Sequence, residues 1–596
     1  MQYSKRQDVP TEYTWKLEDI FESDAQWEDA FRAAQEMLPG FEAFSGKLGD
    51  AAVLKSAVRR SFEIARALEG LEVYAHMRRD EDTANPKYQG MADRAESLSA
   101  RAGAATAFLD PELLALPEET LEQAAADPEM ADYDRYLREL LRQRPHTLSP
   151  AEEKLLAMAS EATGTASNAY DMLVDADMRF PKIEGEDGQQ VRLTQAGYIP
   201  LMMSRDREVR RRTFEAYYDT YGSFSSTIPA LYAGSVKGDL FYAKAARFAS
   251  ALEASLFGDN VPVQVYENLI AETRAHIPSL ARYLNARRRL LGLDSLEMYD
   301  LYVPVDAGFD LKMPFEEACG LVEEALAVLG GDYRALLRKA RTERWIDPFE
   351  NGGKSSGAYS WGTYDSHPYV LMNYHENLDS VSTIAHELGH AMHSWYSNAA
   401  QPYPKSGYSL FVAEVASTVN EVLLALYLLD RYPQREAQIY LLGHLLENFR
   451  TTLFRQVEFA EFEKRAHEMA ENGEALTGES LNALYGELNS AYYPQIRQDE
   501  RIDREWMRIP HFYRAFYVYQ YATGFSAATA IARALREEGP EALKRYKAFL
   551  SSGGSADPID ELRIAGVDMA SGEAVASALR LFDELTERYE RFCEIP

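Results

Sequence analysis

His386-Glu387-Leu388-Gly389-His390 sets two imidazoles four residues apart, with a carboxylate next to the first. On a helix, positions four apart lie about 40° from one another on one face. Both rings can then grip a single metal ion, and Glu387 stands one residue round, within reach of a water held by that ion. The motif therefore asks for a helix through residues 382–392. Its bland alternative is an amphipathic helix with two histidines on the core face. That packing is costly, because buried polar groups need partners.

A catalytic zinc site takes three protein ligands and keeps one position open, so one ligand is still missing. His393 lies on the same stripe but about 10 Å of helical rise from His386, too far for three side chains of one straight helix to converge. It reads as a packed polar residue or as support behind a ligand. The longer motif with a third His would need Gly at 393 and His at 396, where His393 and Tyr396 stand. The better source is a second helix over residues 411–426, mostly apolar and expected to be buried. Glu414 sits there among apolar neighbours, costly unless ionised against a cation. Glu421, seven residues on, shares its face. Glu414 is the preferred ligand. Glu421 is the alternative, or the carboxylate that orients a ligand imidazole. Pro402, Pro404 and Gly407 make 397–409 a loop that turns the second helix back on the first.

The chain has 596 residues, enough for a large core and for more than one domain. A net charge of −31 argues against nucleic-acid partners and anionic membranes. Two cysteines, Cys319 and Cys593, form no disulfide framework, and the first residues lack the apolar core of a signal peptide, so a cytoplasmic location is expected. No uninterrupted apolar run is long enough to cross a bilayer. Apolar spacing of three and four predicts helices over 51–77, 121–142, 151–175, 205–221, 265–290 and 316–329. Residues 180–188 read as a small hairpin or loop. A boundary near residue 200 divides an N-terminal helical domain, 1–200, from a helical catalytic domain, 201–596.

Before the motif helix, residues 352–364 are rich in Gly, Ser and aromatics, and 367–374 have strand character. An exposed strand beside such a helix can pair with an extended peptide; an ordinary short hairpin is the competing reading. Composition also suggests that 352–357 closes over a peptide. Downstream, residues 511–521 hold His511, Tyr513, Tyr517, Tyr519 and Tyr521. They read either as an aromatic core helix with hydroxyls at its wet end or as donors to a tetrahedral oxyanion.

Taken together, the chain resembles the oligoendopeptidase F family of thimet-oligopeptidase-like zinc peptidases. The resemblance is carried by Trp15-Lys16-Leu17-Glu18-Asp19-Ile20-Phe21, by 357–364, 383–393, 411–421 and 510–525, by Phe549-Leu550-Ser551-Ser552-Gly553-Gly554 and by Ala565-Gly566-Val567-Asp568-Met569. It implies a mostly α, two-lobed metallopeptidase with a deep channel for short unfolded peptides and a small β-sheet beside the motif helix. It implies one zinc ion on His386, His390 and Glu414, with Glu387 as catalytic base. A downstream His and tyrosines hold substrate and stabilise the oxyanion. Here these are His511 and Tyr517, with Tyr519, Tyr513, Gly357, Ala358 and Tyr359 as substrate contacts. The expected activity is zinc-dependent cleavage of internal bonds in oligopeptides. A zinc carboxypeptidase of similar build is the nearest alternative. A non-catalytic peptide-binding scaffold is the alternative from another class.

Overall fold

The computed structural model describes residues 2–305 and 308–593. These are predominantly helical, with four small sheets of two or three strands among them. Two compact units divide the chain. The first is Met1–Thr147, Asp310–Tyr427 and Ile531–Val567; the second is Leu148–Phe309, Leu428–Ala530 and Asp568–Pro596. Residue 200 falls within the second.

The expected helices form, but breakers cut three of them. Residues 121–142 become Glu118–Ala126 and Asp134–Gln143, because Asp127-Pro128 starts a separate turn. Residues 151–175 break at Gly164, and 265–290 at His276 before Pro278. The hairpin is present, Lys182–Glu184 antiparallel to Gln190–Arg192.

In the first unit, α1 (Ala51–Glu81) starts at Asp50, whose carboxylate accepts from the Ala52 and Val53 amides. Its apolar face packs with Pro86–Thr106 around Trp27, Leu71 and Met91. A three-stranded sheet follows: β1 (Ile346–Asp347), β2 (Tyr359–Trp361) and β3 (Tyr369–Leu371). Their order is β1-β3-β2, with β3 parallel to β1 and antiparallel to β2. So β2 is an edge. Trp15, 1% exposed, donates its indole N–H to the Val370 carbonyl at 2.8 Å, and Tyr369 donates to the Lys16 carbonyl. The N-terminal Trp15-Lys16 pair thereby braces the central strand.

Two helices carry the motif region: α2 (Leu378–Ala400) and α3 (Leu410–Arg431). Asn377 caps α2 by accepting from the Ser380 amide. The connection is shorter than expected, since α2 runs on to Ala400 and Tyr403–Ser406 forms one more helical turn. By length and composition α3 could cross a membrane, which the search for unbroken apolar runs missed because Glu414 and Glu421 interrupt it; 72% of its most apolar window is buried in the protein. Gly553 and Gly554 lie against this connection. Gly554 donates its amide to the Lys405 carbonyl, and at Gly553, with φ +53°, a side chain would strike that same carbonyl.

Candidate metal centre

The spacing on α2 does what a helix requires. His386 and His390 stand with ring centroids 4.8 Å apart and Nε2 atoms 3.2 Å apart. Glu414 of α3 completes a triangle, its Oε2 lying 3.4 Å from each Nε2. Among the described residues these three alone form such a group. Three lone-pair atoms facing one another repel unless a proton or cation lies between them. A tetrahedral ion with bonds of about 2.0–2.1 Å has ligand–ligand edges of about 3.3–3.4 Å, so the triangle fits zinc.

The surrounding charges favour a cation at this spot. Burial works against the imidazolium of His386, but hydrogen bonding and charge from Glu421, with Glu387 and Glu414, lift its pKa to about 9. Hydrogen bonding to His390 leads the effects that hold the Glu414 carboxyl at about 2. Glu421 Oε1 lies 3.4 Å from His386 Nδ1, so it is placed to fix which nitrogen faces the centre. Ser417 donates its hydroxyl to Glu414 Oε2 at 3.1 Å. One expectation is corrected. Glu414 is not enclosed by apolar groups: its side chain is 48% exposed, on the single polar face of a helix whose other faces are buried.

Glu387 is 6% exposed, and its carboxylate accepts no hydrogen bond from the described residues. Burial raises its pKa, partly offset by the two imidazoles. His393 is 1% exposed, stacked on Tyr408 at 3.8 Å, with Nδ1 unpartnered. Burial holds it neutral, with a pKa near 3. It is a packed polar residue.

Sequence alone does not mark Gly389. A Cβ there would lie 2.5 Å from Ser417 Cα and 2.7 Å from the Ala416 carbonyl oxygen. The two helices cross in backbone contact at this glycine, which is what brings Glu414 to the histidines. Asn420 secures the crossing, donating to the Ala385 carbonyl at 3.0 Å and accepting from Tyr333. The available signal was a glycine inside a helix, which costs about 1 kcal/mol against alanine and so asks for a packing reason.

The segment before the centre differs from a mobile flap. The Gly353 carbonyl accepts from the Thr83 amide and hydroxyl. Asp80 accepts from the Ser355 and Tyr359 hydroxyls at 3.0 and 2.9 Å. Lys354, buried, donates to the Asp347 carboxylate at 2.8 Å and to three backbone carbonyls. Closure of 352–357 would have to break these bonds. Gly357, with φ +83°, and Ala358 lead into β2, and the Tyr359 hydroxyl is already engaged.

The downstream cluster belongs to the second unit. Tyr521 Oη lies 3.5 Å from His511 Nε2; Tyr517 lies parallel to the His511 ring at 5.9 Å, and Tyr521 stands perpendicular to both. Phe516, at φ +55°, sets up the turn, and its amide donates to the buried Glu463. Tyr519 and Tyr513 are placed otherwise. Tyr519 is 1% exposed against Tyr266, and Tyr513 stacks on Tyr170 at 4.3 Å with a buried, unpartnered hydroxyl. Both rings are taken up by packing, which counts against their expected role as substrate contacts.

Comparison with known proteins agrees with this arrangement. The profile of "Peptidase family M3" matches residues 200–581, and that of "Oligopeptidase F" matches 112–180. The chain belongs to peptidase family M3. It is 44% identical to oligopeptidase PepF of Bacillus subtilis over 99% of this chain and 88% of that protein. It is 39% identical to group B oligopeptidase PepB of Streptococcus agalactiae over 97% of each. The oligoendopeptidase F structure from Enterococcus faecium superposes with a TM-score of 0.73 at 35% identity, covering 96% of this chain and 99% of that one. A structure from Chlamydophila abortus gives 0.95 at 35% identity, covering 99% and 100%. This M3 chain is thus a peptidase with the mostly helical fold and small sheets of the oligoendopeptidase F group.

Proposed function

We propose that this M3 peptidase is a zinc-dependent endopeptidase that cuts internal bonds of short, unfolded peptides. One observation carries the reading: the His386–His390–Glu414 triangle has zinc-sized edges and a buried, unpartnered Glu387 beside it. Those three residues would hold one zinc ion. Bound there, zinc supplies a Lewis acid that acidifies water and polarises a carbonyl. Glu387 accepts the proton of the attacking water and returns it to the leaving amine; its raised pKa suits both directions of transfer. Glu421 keeps His386 oriented. The outer edge of β2, paired with no strand among the described residues, offers backbone N–H and C=O groups to an extended peptide. For the oxyanion donors we assign His511 and Tyr517, and add Tyr521, on the chemistry of their cluster. Curated relatives called oligopeptidases support the substrate class.

The test is a quenched-fluorescent peptide blocked at both ends. The enzyme cleaves it internally, loses activity to a chelator and regains it with zinc. Cleavage only of peptides with a free C-terminus would instead establish a carboxypeptidase, and metal-dependent folding with no turnover would leave a scaffold.

A further inference from the structure

Beyond β2 a cleft of about 630 Å³ opens within the first unit. One wall is α1, whose Phe62, Ala65 and Glu69 recur at helical spacing on one face. The opposite wall is the end of β2 and the residues after it, including Trp361, which is 40% exposed. The floor is the last part of α2, through Ser394 and Asn398. Ser394 is one helical turn beyond His390, and Asn398 one turn further. The cleft therefore begins about 6 Å of helical rise from a proposed zinc ligand and reaches about 12 Å. A peptide added along β2, at about 3.3 Å per residue, would deliver into it a group roughly two to four residues from the scissile bond.

The charges of this cleft do not balance. Glu69 Oε2 accepts only the Tyr364 amide, at 3.0 Å, and Glu69 has no ion-pair partner among the described residues. Arg66, the nearby cation, is engaged by Asp365 through Nε at 2.7 Å and through a second, shorter contact. Glu72 adds another negative charge to the same neighbourhood. Burial, and then Asp365 and Glu72, raise the Glu69 pKa, as fits a carboxylate short of positive charge. Tyr364 and Tyr403, in edge contact at 5.4 Å, supply aromatic faces that attract cations.

We propose that this cleft is a subsite for a cationic group of the peptide, with Glu69 as its counter-charge and the aromatic walls as its lining. The cation is either the N-terminal ammonium or a lysine or arginine side chain. The subsite rests on the peptidase reading above, and it makes the enzyme selective among peptides.

The test uses peptides of one core sequence: with a free N-terminus, with an acetylated N-terminus, and acetylated with Lys or with Gln at each of the four positions before the cleaved bond. Wild-type enzyme should show a KM about tenfold lower for cationic members than for neutral ones, a gap that narrows in high salt, with kcat little changed. In Glu69→Gln, which keeps an acceptor for the Tyr364 amide, the gap should collapse. An advantage confined to the free N-terminus assigns the terminal ammonium; one regained by Lys assigns a side chain. Equal KM across the series, or a gap that survives Glu69→Gln, overturns the subsite. The wild-type series decides the matter even if the variant does not fold. If the wild type cuts none of these peptides, the peptidase reading has failed instead. Anisotropy-measured binding of the labelled series to Glu387→Gln enzyme then still scores the subsite by the same gap.

Discussion

At the scale of single residues, the centre depends on side chains that would not touch an ion themselves. Glu421 faces His386 Nδ1 at 3.4 Å and leaves Nε2 to the triangle. Replacing it with Gln removes the charge while keeping the shape. Zinc affinity, read by competition with a coloured chelator, should fall about tenfold, in the range usual for partners behind metal ligands. Unchanged affinity would show that Glu421 only packs. Both histidines, Glu387 and Glu414 were legible in sequence because each has a chemical reason to stand at its spacing. The exposure of Glu414 was not, since which face of an apolar helix meets solvent depends on what packs around it.

Elements meet through backbone, and Gly389 is the point of contact between α2 and α3. Any Cβ there would press on the backbone of Ser417 and Ala416 rather than on a side chain that could swing aside. Gly389→Ala should therefore part the helices, lower stability by about 1–3 kcal/mol and weaken zinc binding through the displaced Glu414. Calorimetry with and without zinc measures both effects; a variant with the wild-type melting temperature and zinc response would refute the crossing as described. The strands β2 and β3 and most helices were visible from patterning. The splits at Asp127-Pro128, Gly164 and His276 show where periodicity ran past a breaker, since apolar spacing can continue in phase across a turn. The tyrosines after His511 were the least legible. Phe516 at positive φ turns the chain, so helical spacing could not tell Tyr517 and Tyr521 from the buried Tyr519.

For the whole molecule, the two units were beyond patterning, because each collects three stretches far apart in the chain. Buried acids set how stability responds to pH. Glu458, 1% exposed, accepts from Asn489 at 3.1 Å, and burial together with Glu505 lifts its pKa to about 8. A carboxyl whose folded pKa is raised contributes stability fully below its unfolded pKa of about 4.3, and loses it as pH climbs toward 8, by up to about 1.4 kcal/mol per pH unit. Glu458→Gln should flatten the fall of the urea midpoint across that window; an unaltered slope would place the buried proton elsewhere. The central claim is that Glu387 moves the proton while His386, His390 and Glu414 hold the ion. Measuring zinc content and peptide turnover together on Glu387→Gln tests it most directly. The account predicts one zinc per chain, as in the wild type, with kcat lower by about 10³-fold. Near-wild-type turnover, or loss of zinc along with activity, would contradict it.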